Sequence, residues 1–295
     1  MNNLDCRYGE TADYHSNMLA HSVRSGAWAS LLVMTLLSTS VMAQDDDALA
    51  EFARKAQDPL ADVKALMTDN TIAFNGGPDD DTSFNFQLQP VYSIDNDTSW
   101  NMILRGIVPI AGIEPGVVAP PIGPEPRPPT GSTWGIGDTF VQMFFSPKSD
   151  AAWKWGIGPQ VSLDTSTSSR VAGPRWGAGV AGVVFGGVGD MALGVVGMYH
   201  WGEQDFEVGT LQLIALYNFP NAPGYSLGYN NSFTYNRKAT SGNKWQVPLG
   251  LTFGRMIMLG NGDGLDLSIG AYDLTESPDG GHSWQLKFGV SYFFN

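Results

Sequence analysis

The sequence predicts an all-β protein: a closed antiparallel transmembrane β-barrel of about 12 strands (range ~10–14), preceded by a short N-terminal helix. Three observations predict it. Apolar and polar residues alternate with a period of two over unusually long segments. The connections between those segments are alternately short and long. The composition is that of a membrane protein, yet no run of residues reaches the ~18 apolar positions of a spanning helix. Glycine is 36 of 295 residues, about 12% against a usual ~7%, and charged residues make up only 15% against ~25%.

The elements follow in chain order. Arg24, the apolar run 27–41 and Val41-Met42-Ala43 read as a secretory signal with cleavage after Ala43, so 1–43 is expected to be leader, with Met1 or Met18 as the true start. A retained N-terminal anchor is the competing reading of that run. Cleavage removes Cys6, the single cysteine, and leaves a mature chain without disulfides or thiolate metal sites. Residues 44–69 read as a periplasmic helical segment: Leu49, Phe52, Ala53 and Ala56 recur at helical spacing, and Asp58-Pro59 restarts a second short helix through Leu60, Val63 and Met67. The barrel is expected over 70–295.

Alternation is clearest in four places. Phe84, Phe86, Leu88, Tyr92 and Ile94 interleave with Asn85, Gln87, Gln89 and Ser93. Trp153, Trp155, Ile157 and Val161 interleave with Lys154, Gly156, Gly158 and Gln160. Tyr225, Leu227, Tyr229 and Phe233 interleave with Ser226, Gly228, Asn230 and Ser232. Trp284, Leu286, Phe288, Val290 and Tyr292 interleave with Gln285, Lys287, Gly289 and Ser291. Segments of ~10–13 residues exceed the ~5–6 of a globular strand and suit a tilted crossing of a ~25–30 Å apolar layer. Strand starts are expected near Thr71, Ser83, Ser99, Gly135, Ala152, Arg175, Met191, Phe206, Tyr225, Lys244, Leu265 and His282, the first strand being short. With the N-terminus in the periplasm, short links fall inside, while the Pro-rich link 113–133 and link 164–174 fall outside. A soluble β-sandwich is the alternative that also alternates, but it would need shorter strands and a hidden apolar face.

The face away from lipid should be polar, because hydrocarbon offers no partner to polar groups. Candidate lumen-lining residues are Asn85, Gln87, Gln89, Asn101, Arg105, Lys154, Gln160, Gln212, Asn230, Thr234, Asp266, Gln285 and Lys287. They either line an aqueous path or pair into a polar plug; a size between eight and sixteen strands does not decide. A net charge of -13 with no basic run argues against nucleic acid. Gly224-Tyr225-Ser226-Leu227-Gly228 and Gly177-Ala178-Gly179-Val180-Ala181-Gly182 mimic catalytic and dinucleotide motifs, but both lie in strands followed by strands, where those motifs need a helix. No metal site or cofactor is expected from two mature histidines, His200 and His282, and no cysteine. The acidic groups 79–81 and Asp263 with Asp266 read as solvated loop charge rather than Ca²⁺ ligands.

The chain end Lys287-Phe288-Gly289-Val290-Ser291-Tyr292-Phe293-Phe294 resembles the signal by which outer-membrane barrels are recognised for assembly. Lys287, Gly289, Tyr292 and Phe294 fill its places, and Asn295 follows the final aromatic. The chain also resembles outer-membrane barrels related to the MetA-pathway phenol-degradation proteins. The resemblance is carried by Asp58-Pro59-Leu60, Asn70-Thr71-Ile72, Asn85-Phe86-Gln87-Leu88-Gln89-Pro90-Val91-Tyr92, Gly135-Ile136-Gly137-Asp138 and Pro278-Asp279-Gly280-Gly281. It implies an outer-membrane channel or transporter for small, hydrophobic or aromatic solutes, and supplies no functional residues. The partners expected are outer-membrane lipid, the barrel-assembly machinery and an unidentified small solute. Two other readings stand beside it: an adhesion barrel displaying loop 113–133, and a lipid-modifying enzyme using His200 or His282.

Overall fold

Strands that cross hydrocarbon must find partners on both edges, because lipid cannot take a backbone N–H or C=O. In the computed structural model, which describes residues 46–94, 97–118 and 131–294, closure of the sheet meets that condition. A helix, α1 (Asp46–Gln57), precedes β1 (Lys64–Gly76), β2 (Asp81–Ile94), β3 (Trp100–Ile113), β4 (Thr133–Ile136), β5 (Thr139–Pro147), β6 (Trp153–Leu163), β7 (Gly177–Val188), β8 (Met191–Gly202), β9 (Glu207–Asn218), β10 (Tyr225–Asn236), β11 (Trp245–Met258), β12 (Gly264–Glu276) and β13 (Trp284–Phe294). Neighbours pair antiparallel from β5 to β13, β3 pairs with β5 and β2, and β1 joins β2 to β13. Twelve strands therefore close the barrel, and the four-residue β4 is an extra strand on β3. The seam runs from Lys64 opposite Phe294 to Phe74 opposite Trp284, where the two rings stack at 4.1 Å.

The strands differ from expectation in two places. The second helix is absent: 58–63 is a turn, and β1 begins at Lys64 and runs 13 residues. Helical spacing of Leu60, Val63 and Met67 misled because Ala65 and Met67 alternate equally well with Leu66 and Thr68, and pairing on both edges decided the matter. The strand expected from Gly135 is two strands, β4 and β5, facing one strand, β3. The break falls at Gly137-Asp138: the Gly137 N–H turns to the Pro109 carbonyl at 2.9 Å. The Asp138 carboxylate, 1% exposed, accepts the backbone N–H groups of Ser166 (3.2 Å), Gly173 (2.8 Å) and Arg175 (2.7 Å).

The outer wall is apolar, with Ile157, Val161, Val180, Val184, Val195, Leu211, Leu227, Leu249, Leu251 and Val290 exposed. Two aromatic girdles bound it. At the end where β1 begins, Tyr92, Trp100, Trp153, Trp155, Tyr217 and Phe294 face outward; at the opposite end stand Trp134, Trp176, Trp201, Trp245 and Trp284. Rings at both rims of an apolar band are the dress of a barrel embedded in a bilayer.

Helix α1 lies at the first of these ends, hereafter the helix end, and the other is the loop end. Asp46 and Asp47 in its first turn and Arg54 and Lys55 in its last complement the helix dipole. Its buried face, Leu49 and Ala53 with Phe52 and Ala56 beside them, packs on Ala65, Met256 and Phe293. The turns it covers carry Gly224, at φ +82°, and Gly264, where a Cβ would stand 2.2 Å from the Phe52 ring.

Candidate functional site

The interior of the barrel has two characters. Toward the helix end it is apolar: Ile103, Phe144, Val183, Phe185, Val196, Ile214 and Leu216 point inward and surround Leu60. Leu60 is 1% exposed and is held there by the turn that follows α1. The Asp58 carboxylate caps that turn by accepting the Leu60 N–H at 2.8 Å, and its other oxygen takes Lys154 Nζ at 2.7 Å. Two more ties fix the helix across the mouth: Arg54 to Asp190 at 3.0 Å, and Gln57 to Asn218 through paired amides at 2.8 and 3.1 Å. The helix, turn and Leu60 together form a stopper seated by packing and latched by side-chain pairs from three strand ends.

Toward the loop end the lumen is amphipathic. A chamber of about 320 Å³ is lined by Asn85, Gln87, Gln89, Arg105, Gln160, Gln212, Thr234, Gln285 and Lys287, among others. Apolar wall is supplied between them by Phe84, Ile107, Pro109, Phe140, Met198 and Val208. A second cavity of about 150 Å³ lies beside the stopper and is lined by Asn230 and Asp266 together with Pro59, Val63, Phe144 and Ile214. Arg105 and Gln212 line both spaces and so stand between them. Of the remaining candidates, Lys154 is engaged by Asp58, and Asn101, opposite Ser146 in the β3–β5 ladder, lines neither space.

The polar groups of the chamber are organised in chains. Arg105 donates to the Gln89 amide oxygen at 2.5 Å, and Gln89 donates to Gln87 at 2.7 Å. Lys287 pairs with Asp69 at 3.0 Å. Gln142 donates to Gln160 at 2.9 Å, Gln160 meets His200 Nδ1 at 3.0 Å, and His200 Nε2 meets Ser162 at 2.9 Å. Because the Gln160 oxygen already accepts from Gln142, its nitrogen donates to Nδ1, and the imidazole proton sits on Nε2 and points at the Ser162 oxygen. That direction is the reverse of a base drawing a proton from a nucleophile. The pair also faces the lumen, 1% and 3% exposed, rather than lipid.

Several residues of this site were not singled out by the sequence. Gln142 looked like one polar residue in an apolar strand, and Asp69 fell in the expected helix. Ser83 and Asn231 line the chamber with no polar pattern to mark them, and Asp138, noted only as part of the Gly135-Ile136-Gly137-Asp138 motif, lines it too. The inward apolar half was missed because β7, Gly177–Val188, is apolar on both faces, so alternation of polarity is silent there. His282 also lines the chamber, from the β12–β13 loop, and burial holds its imidazole down to about 4. Asp263 accepts from Asn261 and Tyr292 at a helix-end turn, and Asp266 lies apart from it in the second cavity. The leader 1–43 and the centre of the Pro-rich link, 119–130, lie outside the described residues.

A twelve-stranded barrel with girdled apolar walls and a partly filled polar lumen is the fold of outer-membrane channels. The chain belongs to the family described as the putative MetA-pathway of phenol degradation, which matches residues 69–288, well over half its length. Among solved structures it is similar to the COG4313 outer membrane channel from Pseudomonas putida F1, at 13% identity and a TM-score of 0.58, over 81% of this chain and 98% of that one. At that identity the likeness is one of fold. A bacterial polysaccharide outer membrane secretin (10% identity, TM-score 0.33, 79% and 99% covered) and a mutant Rh. blastica porin (9%, 0.29, 79% and 99%) are more distant. No curated protein matches the chain in sequence.

Proposed function

We propose that the protein is an outer-membrane channel that passes small, weakly polar or aromatic solutes by passive diffusion. The observation that carries this reading is the lumen wall, where neutral amides alternate with aromatic and aliphatic side chains around two cavities that share Arg105 and Gln212 in their linings. Neutral polar walls suit an uncharged solute, and apolar patches between them repay its ring or chain. The stopper of α1 and Leu60 fits this reading as the gate at the helix end, which would face the periplasm. Export by the 1–43 leader, and recognition of Lys287, Gly289, Tyr292 and Phe294 by the assembly machinery, complete the proposal. The likeness of fold to the P. putida outer membrane channel supports the channel part of this reading; the solute class and passive diffusion rest on the lumen wall.

The test is conductance and solute flux on the refolded full chain. Planar-bilayer recording should show discrete low-conductance openings, and liposome swelling should be faster for small aromatic alcohols than for sugars of equal mass. A barrel that is silent in bilayers and leaves every solute excluded would overturn the channel reading.

A further inference from the structure

We propose that the wall between β10 and β11 is a lateral portal, through which a solute passes between the lumen and the hydrocarbon of the membrane. The inference rests on the channel reading and adds a route to it.

The β10–β11 ladder stops after Gly228 opposite Thr252 and resumes, in the same register, at Thr234 opposite Gln246. Residues 229–233 and 247–251, five on each strand, are unpaired across this seam, although β10 stays paired to β9 and β11 to β12. Among the described residues no other ladder is interrupted for so long; the next, between β1 and β13, misses three pairs. Pro248 stands within the gap with no N–H to give, which makes this stretch of β11 an edge inside a closed sheet.

Backbone groups left bare in hydrocarbon are costly, and here side chains take the place of the ladder. The Tyr272 hydroxyl, reaching from β12, accepts the Asn230 N–H at 3.3 Å and donates to the Asn230 carbonyl at 3.2 Å, with the Thr252 hydroxyl beside it. The Tyr229 hydroxyl donates to the Pro248 carbonyl at 2.7 Å, and the Asn231 amide oxygen accepts the Ser232 N–H at 2.8 Å. Two observations mark the seam as a hole in the wall and not only a break in pairing. Tyr229 follows the outward parity of Leu227, and Tyr272 the inward parity of Asp266 and Ser268, yet their rings meet edge to face at 5.7 Å. Asn231 occupies an outward position between Tyr229 and Phe233, yet it is buried, lines the loop-end chamber and meets Lys287 Nζ at 3.5 Å. Its amide reaches the lumen through the gap.

A closure made of side chains opens by rotamer changes, whereas a ladder opens only by breaking the sheet. Ring pairs hold the two ends of the seam, Tyr225 with Phe253 at 5.7 Å and Tyr235 with Trp245 at 4.7 Å. The lips between them set what can cross. Asn230, Ser232 and Gln246 face the two cavities, and Leu249 and Leu251 are exposed on the outer wall. An uncharged, largely apolar molecule suits both sides; hydrocarbon keeps an ion in the lumen.

The test is thiol labelling of the full chain in lipid vesicles, with Cys6→Ser as background. The probe is a maleimide carried on a phospholipid acyl chain and so confined to the hydrocarbon. Ser232 and Gln212 face each other in the β9–β10 ladder and both line the chamber, but only Ser232 borders the seam. Ser232→Cys should therefore react with the lipid-borne probe and Gln212→Cys should not, while a water-soluble maleimide labels both. Tyr272→Phe in the Ser232→Cys chain should speed the lipid-side reaction roughly tenfold, the value of one lost hydrogen bond. Pro248→Val, which restores an N–H to the ladder, should slow it. Heat-modifiable gel migration shows whether each variant is folded, and Ser232→Cys against Gln212→Cys decides where a second substitution is not tolerated. Equal lipid-side rates at the two positions overturn the proposal, as does no lipid-side reaction at Ser232→Cys. Conductance without lipid-side labelling removes the portal and leaves the channel; lipid-side labelling in a silent barrel does the reverse.

Discussion

Gly158 shows how little freedom single residues have in this wall. It points inward on β6, and a Cβ there would lie 1.6 Å from the Met143 carbonyl oxygen of β5. Gly158→Ala must push two paired strands apart, so a loss of about 3 kcal/mol or more is expected, measured by urea titration of the bilayer-folded barrel. A loss below about 1 kcal/mol would show that the strands do not approach as described. His282 sets a second residue-scale expectation. It is 5% exposed, and burial favours its neutral form, so its pKa of about 4 lies below the ~6.5 of the unfolded chain. Its contribution is complete above pH ~6.5, is lost as pH falls from there toward 4, and changes no further below. The loss is at most about 3 kcal/mol. The His282→Gln variant should flatten that slope in folding titrations at pH 7, 5.5 and 4, and an unchanged slope would assign the pH response elsewhere.

At the scale of elements, α1 and its turn are the part that can move without breaking the barrel. Apart from one backbone bond, from the Ser93 N–H to the Val63 carbonyl, they are tied to the barrel by side chains. Lys154→Met leaves Asp58, 5% exposed, without its cation, which should weaken the stopper by on the order of 2 kcal/mol. Leu60→Ala removes the packed plug itself, where buried Leu→Ala changes cost about 2–5 kcal/mol. Both variants should raise open probability or conductance in planar bilayers while heat-modifiability is kept. If neither changes the current, α1 is a structural brace and not a gate.

For the whole molecule, the two faces of the sheet must differ in what they tolerate. Val180, 52% exposed on the outer wall of β7 and opposite Pro159, lies midway between Trp155 of one girdle and Trp176 of the other. Val180→Arg should cost about 2–4 kcal/mol for folding into vesicles, the cost of a cation near the bilayer midplane. The same substitution at the inward Thr234, beside the chamber, should alter solute selectivity far more than folding. Equal costs at the two sites would contradict the placement of the bilayer around the girdles.

Much of this architecture is legible in the sequence, because period-two polarity reports a strand wherever one face meets lipid and the other meets polar groups. It reports β2, β6, β10 and β13 well. It falls silent where both faces are apolar, as in β7, and where one polar residue is isolated, as at Gln142 in β5. Turn chemistry located the short links, and no local signal foretold that Asp138 would break a strand by gathering three N–H groups.

The sequence by itself determined the class of structure: long alternating strands, links short on one side and long on the other, and an outer face that only hydrocarbon could accept. Those are local properties, written within ten to fifteen neighbouring residues. Tertiary structure alone decided what fills the barrel. Lys287 finds Asp69, Lys154 finds Asp58, Gln142 finds Gln160, and Leu60 finds a pocket built from six strands. The reason is that an inward apolar side chain and a lipid-facing one are chemically alike. Only closure of the sheet, which brings distant strands around one axis, separates the lumen from the membrane and turns a row of amides into a site.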